Sequence, residues 1–387
     1  MIDYSSLLSE KVQEIKPSGI RKFSELAAEM GNVISLGVGE PDFQTPWAIR
    51  QAGIESLERG RTHYSPNAGF RELKQEIDRY LERRMGLSYS EEETMVTIGG
   101  SEAIDMMIRA VIDPGDEVLI PEPCYVSYDP IARLTGAKVV SIPTRFEDDF
   151  RLTAEALKAA ITPKSKLLIF PYPNNPTGGI MEREDLEAIA EVLRDTNILV
   201  LSDEIYAELT YGGKKHVSIA SIDGMRERTI VVNGFSKTYA MTGWRLGYAV
   251  GPAPLIREMI KIHQFAIMCA PTTSQLAAVE ALRSCDEEIE AMRDEYDMRG
   301  KYLVGELNRI GLECFQPQGA FYVFPSIRRT GLSSEEFCER LLREERVAVI
   351  PGSAFGSWGE GHIRISYCYS LQHLKIAVRK IEKFLKK

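Results

Sequence analysis

The strongest constraint on the fold is a regular alternation of strand-type and helix-type segments between residues 94 and 202. Runs rich in Val, Ile and Leu occur at 94–98, 117–120, 137–142, 166–170 and 198–202. Helical patterns fill the intervals, running to about 112 and then at 125–134, 154–160 and 184–194. Strands that return in the same direction need a long crossover, usually a helix. The repeat therefore predicts an α/β fold with a mainly parallel sheet covered on both faces. Such sheets bind ligands beyond the carboxyl ends of their strands. Ser101, Asn175, Asp203 and Lys237 all fall just after a predicted strand.

The flanks read differently. Residues 12–30 form a helical pattern interrupted near Pro17-Ser18-Gly19, and 33–43 form a short strand running into a glycine-punctuated turn. A turn-rich loop at 62–69 precedes an amphipathic helix over 70–85, with Phe70, Leu73, Ile77, Tyr80 and Leu81 on one face. After Gly251-Pro252 a helix runs to about 268, and charged helical sequence spans 273–310. The remainder reads strand (321–324), helix (334–343), strand (347–350), strand (362–367) and terminal helix, with Leu374, Val378, Ile381 and Leu385 at the spacing of a packed face. This change of character places a second, α+β domain from about residue 285.

Composition narrows the function. The length, 387 residues, suits two domains. Lys and Arg number 47 against 56 Asp and Glu, a formal charge of −9, which disfavours a general nucleic-acid-binding role. No apolar run approaches the ~20 residues of a membrane helix, and the start of the chain has no signal-like apolar core. The six cysteines are scattered without CxxC, and the five histidines are dispersed, so no metal site is expected. Buried free thiols in a reducing cytoplasm are the simplest account.

One stretch carries chemistry. Asn233-Gly234-Phe235-Ser236-Lys237 continues through Thr242-Gly243-Trp244-Arg245-Leu246-Gly247 as a Gly/Ser/Thr-rich loop between predicted strands at 228–232 and 245–250. A lysine fixed there can form a Schiff base with a carbonyl. A neighbouring serine and arginine can hold a phosphate. Together they suggest an aldehyde cofactor with a phosphate, pyridoxal phosphate. A solvated loop with ordinary charges is the alternative. Gly99-Gly100-Ser101-Glu102, at a strand-to-helix junction, suits an anion and equally suits a plain tight turn.

Several separated motifs then agree in order. Gly37-Val38-Gly39-Glu40-Pro41-Asp42-Phe43, Asn174-Asn175-Pro176-Thr177-Gly178, Asp203-Glu204-Ile205-Tyr206, Ser236-Lys237 with Gly243-Trp244-Arg245-Leu246-Gly247, and Gly361-His362-Ile363-Arg364-Ile365-Ser366 resemble the class I/II aminotransferases. These are pyridoxal-phosphate enzymes of fold type I, and the closest flavour is the prokaryotic aspartate, alanine and aromatic subgroup. Chance agreement of all the motifs is far less probable than agreement of one. The resemblance implies a large cofactor domain (46–285) with a seven-stranded sheet. It also implies a small domain built from 286–387 and joined by the segment 1–45.

The resemblance also implies roles. Lys237 would be the Schiff-base lysine and would move a proton between the substrate α-carbon and the cofactor. Asp203 would pair with the ring nitrogen, and Asn175 and Tyr206 with the phenolate oxygen. Tyr125 would stack on the ring. Gly100, Ser101, Glu102, Ser236 and Arg245 would hold the phosphate, with Tyr64 reaching it from the neighbouring subunit of a homodimer. Arg364 would grip the substrate carboxylate, aided by Gly39 and Asn175. The partners implied are a small amino acid and a 2-oxo acid such as 2-oxoglutarate.

One position departs from the pattern. Aspartate-using members of the subgroup carry a lysine after the paired glycines that reads a distal carboxylate, and Ser101 stands there. Alanine or aromatic donors, or a broad range, are therefore expected. The alternatives are an aspartate aminotransferase and a carbon–sulfur β-lyase of the same fold. A transcription regulator would need a DNA-binding module ahead of Gly37, and a nicotinamide dehydrogenase would need a GxGxxG after a strand.

Overall fold

The structure is a computed structural model and describes residues 2–387. A two-residue strand, β1 (Ile34–Ser35), comes first. Seven strands then build the main sheet: β2 (Thr94–Thr97), β3 (Glu117–Glu122), β4 (Lys138–Pro143), β5 (Ser165–Phe170), β6 (Leu199–Asp203), β7 (Thr229–Gly234) and β8 (Gly247–Val250). Their order is β2-β8-β7-β6-β5-β3-β4. All contacts from β7 through β4 are parallel, and β8 alone runs against its neighbours β7 and β2. The carboxyl ends of β2, β5, β6 and β7 thus share one edge.

Burial explains the sequence pattern. β2, β3, β7 and β8 are buried along their length, as strands covered on both faces must be. β4, at the sheet's end, is buried only at Ile142. One face packs against helices Gly99–Val111 and Ala253–Ala266 through Met107, Ile108, Ile256 and Met259. The other packs Leu119, Leu168 and Val200 against helices Ala154–Ala160 and Arg183–Leu193. Each such side chain contributes roughly 1.5–3 kcal/mol by leaving water.

The C-terminal region holds β9 (Tyr322–Val323), β10 (Val347–Ala348), β11 (Ile350–Pro351) and β12 (Ile363–Ser366). β11, β12 and β9 form an antiparallel sheet in that order, and β1 pairs parallel with β10. That pairing draws the N-terminal turn against the C-terminal strands. Their core, with Tyr296, Phe321, Phe324, Phe337 and Tyr367, also includes Phe150, Tyr206 and Leu209 from around the main sheet. The seam between the two regions is therefore packed.

Four local expectations need correction. The loop after β7 begins as a one-turn helix, Phe235–Thr238. The helix placed at 125–134 starts at Tyr128, after a turn closed by the Tyr128 N–H on the Tyr125 carbonyl at 3.4 Å. The strand at 347–350 is two, since β10 and β11 pair with different partners. The helix over 273–310 breaks at Cys285 into Thr272–Ser284 and Asp286–Arg309.

Candidate active site

Lys237 sits just beyond the end of β7. Gly234 is needed there, because a Cβ would lie 3.0 Å from the Gly247 backbone. The buried Phe235 anchors the turn by stacking on Tyr239, ring centroids 5.8 Å apart. Lys237 points away from that core, and its Nζ donates to the Gly39 carbonyl at 2.7 Å. Burial lowers its pKa to about 8; Arg364 and Arg245 push the same way, while Cys368 and Glu40 oppose them. The lysine is thus held near neutrality, where a free amine is available at mildly basic pH.

Asp203 ends β6 on the neighbouring strand. Its buried carboxylate accepts from the Tyr128 hydroxyl at 2.7 Å and the Ile205 N–H at 3.2 Å. Burial holds its pKa above the usual carboxylate value despite these bonds. Among the described residues no cation forms an ion pair with it. Glu204 faces the opposite way, and its carboxylate accepts from Ser202 and Ser218 and pairs with His216 at 2.8 Å. Adjacent strand residues point to opposite faces, so only Asp203 of this acidic pair reaches the site. Tyr125 packs edge-on against Tyr128, 5.6 Å between centroids.

Arg364 lies on β12 and is 2% exposed. Its Nη1 donates to Asn175 Oδ1 at 2.9 Å, and its Nη2 to the Gly37 carbonyl. Its Cζ stands 4.5 Å from the Tyr322 ring centroid and 4.8 Å from that of Phe355. Burial lowers its pKa, yet no carboxylate pairs with it among the described residues, and its Nε has no hydrogen-bond partner. A buried, unpaired guanidinium is costly unless a ligand supplies the counter-charge. The Tyr206 hydroxyl shares a 2.9 Å hydrogen bond with that of Tyr322.

The β2-to-helix junction forms a cradle. Gly99 has φ +71°, and a Cβ on it would come 2.9 Å from Arg245 Nη2. A Cβ on Gly247 would meet the Gly100 nitrogen at 2.7 Å. Arg245 is exposed, itself left-handed with φ 51°, and held by its Nη1 bond to the Thr242 carbonyl at 3.0 Å. Gly100, Ser101 and Glu102 supply the first N–H groups of helix Gly99–Val111. The Glu102 side chain turns back, accepting from the Ile98 N–H and meeting His263 Nδ1 at 2.7 Å. Its carboxylate is thus occupied within the chain. Ser236 is buried next to Lys237, and Tyr64 is 79% exposed.

Two residues escaped the sequence reading. Tyr128 follows Tyr125 by three positions, and only the fold shows that it caps Asp203. Tyr322 sits within the predicted strand 321–324, a run of apolar and aromatic residues where a tyrosine reads as core. The turn at 37–43 has its own brace, since Asp42 accepts both bonds from Arg299 Nη1 at 2.9 Å.

The carboxyl edge of the main sheet presents a lysine of lowered pKa and a lone buried acid, and β12 of the C-terminal sheet adds a lone buried arginine, which together define a site for a charged small molecule. The family described as aminotransferase class I and II matches residues 31–381. A Bacillus subtilis protein named as an aminotransferase, YugH, is 52% identical over 99% of both chains. An aspartate aminotransferase of Pyrococcus abyssi is 46% identical over 98% of both. The crystal structure of an aromatic aminotransferase from Pyrococcus horikoshii superposes with a TM-score of 0.90 at 46% identity, covering 95% of this chain and 98% of that one. The chain belongs to the class I and II aminotransferases, and its fold is that of the fold type I enzymes.

Proposed function

We propose that the protein is a pyridoxal-5′-phosphate-dependent aminotransferase that acts on a small or aromatic amino acid, or a broad range of them, with a 2-oxo acid such as 2-oxoglutarate as acceptor. The carrying observation is that Lys237, Asp203 and Arg364 are placed around one seam with no ion-pair partner among the described residues. Each lacks what this cofactor and its substrate bring. The lone Asp203 carboxylate fits a protonated ring nitrogen. The Gly99 cradle beside Arg245, with Ser236, fits a phosphate. The Arg364 guanidinium fits a carboxylate held by two parallel bonds.

The cofactor, when bound, supplies an aldehyde that exchanges for an amino group and a ring that accepts the electrons of a deprotonated carbon. The chain does the rest. Arg364, with Gly39 and Asn175 beside it, orients the substrate so that its Cα–H faces Lys237. Lys237 Nζ, whose pKa burial lowers to about 8 in the cofactor-free chain, would take that proton and could return it to the adjacent carbon. Asp203 would keep the ring nitrogen charged, Tyr206 would donate to the ring oxygen, and Tyr125 would stack on the ring.

The donor is inferred from Ser101. It is exposed, neutral and free of any ion pair, so it brings no charge to a distal carboxylate. Relatives named for aspartate and for aromatic substrates match equally well. Comparing kcat/KM for alanine, aspartate, phenylalanine and tyrosine tests the reading, and aspartate winning by a large factor overturns it. The exposed Tyr64 supports a homodimer in which it reaches the partner's phosphate, and a cytoplasmic location accords with the thiols.

A further inference from the structure

Tyr322 joins three parts of the site that the sequence presents as unrelated. It lies on β9, opposite Ser366 on β12, two residues beyond Arg364. It is fully buried. Its hydroxyl is 2.9 Å from that of Tyr206. Its ring is the floor under the Arg364 guanidinium. A Cβ on residue 39 would come 1.9 Å from its oxygen, so only glycine lets the substrate turn pass over it.

We propose that Tyr322 is a positioning residue that sets the donor direction of the Tyr206 hydroxyl and the pose of Arg364 at the same time. The inference rests on the function proposed above. The two hydroxyls share one hydrogen bond, and each carries one proton. If Tyr206 gives its proton to an oxygen in the site, Tyr322 must be the donor between them. No other acceptor for the Tyr322 hydroxyl occurs among the described residues. The Tyr206 hydroxyl has none either, so the direction depends on the site: with an oxygen there to accept from Tyr206, the Tyr322 proton is the one that goes to Tyr206. The ring acts separately: a face under a desolvated cation holds it by the ring quadrupole.

These two actions separate by substitution. Tyr322→Phe keeps the ring and removes the donor. In the cofactor-loaded protein, the pH midpoint of the bound cofactor's absorbance should rise by about 0.5–1 unit. Affinity for a non-reactive carboxylate, 3-phenylpropionate, should stay within about twofold. Tyr322→Leu removes the ring as well and should weaken 3-phenylpropionate by about 5–30-fold in addition. Tyr206→Phe should reproduce the midpoint shift, and the double Phe variant should add little to it. A midpoint unmoved in Tyr322→Phe, or a carboxylate affinity unmoved in Tyr322→Leu, overturns the proposal while leaving the enzyme reading intact. A wild-type protein with no pH-dependent cofactor band overturns both. Phe preserves the packing, and a change confined to melting temperature in Tyr322→Phe contradicts the positioning role.

Discussion

The Lys237 amine is bonded to the Gly39 carbonyl at 2.7 Å, so a group carried by the main sheet is held by the N-terminal turn. That turn is clamped to helix Asp286–Arg309 through Asp42 and Arg299. The N-terminal turn, the lysine and the C-terminal region are thus linked before any ligand arrives.

The buried amine gives the cofactor-free protein a characteristic pH response. Lys237 titrates at about 8 when folded and near ~10.4 when unfolded. Below pH 8 both states are protonated and the cost of burying the charge is fully present. Between about 8 and 10.4 the unfolded state binds more protons, so stability rises with pH. The rise is at most about 3 kcal/mol at 1.36 kcal/mol per unit. Lys237→Met should lose it. Urea unfolding from pH 7.5 to 10.5 checks this, and parallel curves for the two proteins would refute it.

Asp203→Asn should separate stability from function. The amide keeps the shape that meets Tyr128 and Ile205 while removing a buried, unpaired charge. The cofactor-free variant should therefore be as stable as the wild type or more so, by roughly 1–2 kcal/mol. Its kcat should fall by about 100-fold or more, because nothing then holds the ring nitrogen charged. Thermal unfolding and steady-state rates measured together decide it.

Arg364→Lys retains a positive charge and loses the planar fork. The Asn175 and Gly37 bonds and the stacking on Tyr322 and Phe355 cannot all be remade by an ammonium. We expect kcat/KM to drop about 10²–10³-fold for every donor, whatever its side chain. A loss confined to one donor would place Arg364 on side-chain recognition instead.

Gly99→Ala tests the phosphate cradle. The position is left-handed, and the added methyl meets Arg245 Nη2. The strain alone costs about 1–2 kcal/mol. Displacing Arg245 should raise the cofactor dissociation constant by about tenfold. Ser101→Ala, on an exposed side chain, should change it less. Equilibrium dialysis distinguishes the two.

Much of this was legible from local pattern. Strand–helix alternation gave the sheet, and Lys237, Asp203 and Asn175 could be found because they follow strands. Pairings across the chain were not legible. Nothing near Tyr322 in sequence indicates that it lies under Arg364 and against Tyr206, 116 residues away. The Glu102 side chain reads as an anion-site residue until His263, 161 residues on, is seen to occupy it. β8 reversed the sheet's direction without a mark in its composition. Register and side-chain direction depend on partners that local propensity does not see.

On the proposed function, Lys237 holds the cofactor's aldehyde. Reducing the cofactor-loaded protein with borohydride, then digesting it and mapping peptides by mass, tests this directly. The account predicts one phosphopyridoxyl adduct, on the peptide carrying Lys237, and none in Lys237→Ala. An adduct on another lysine, or none in the wild-type protein, would contradict it.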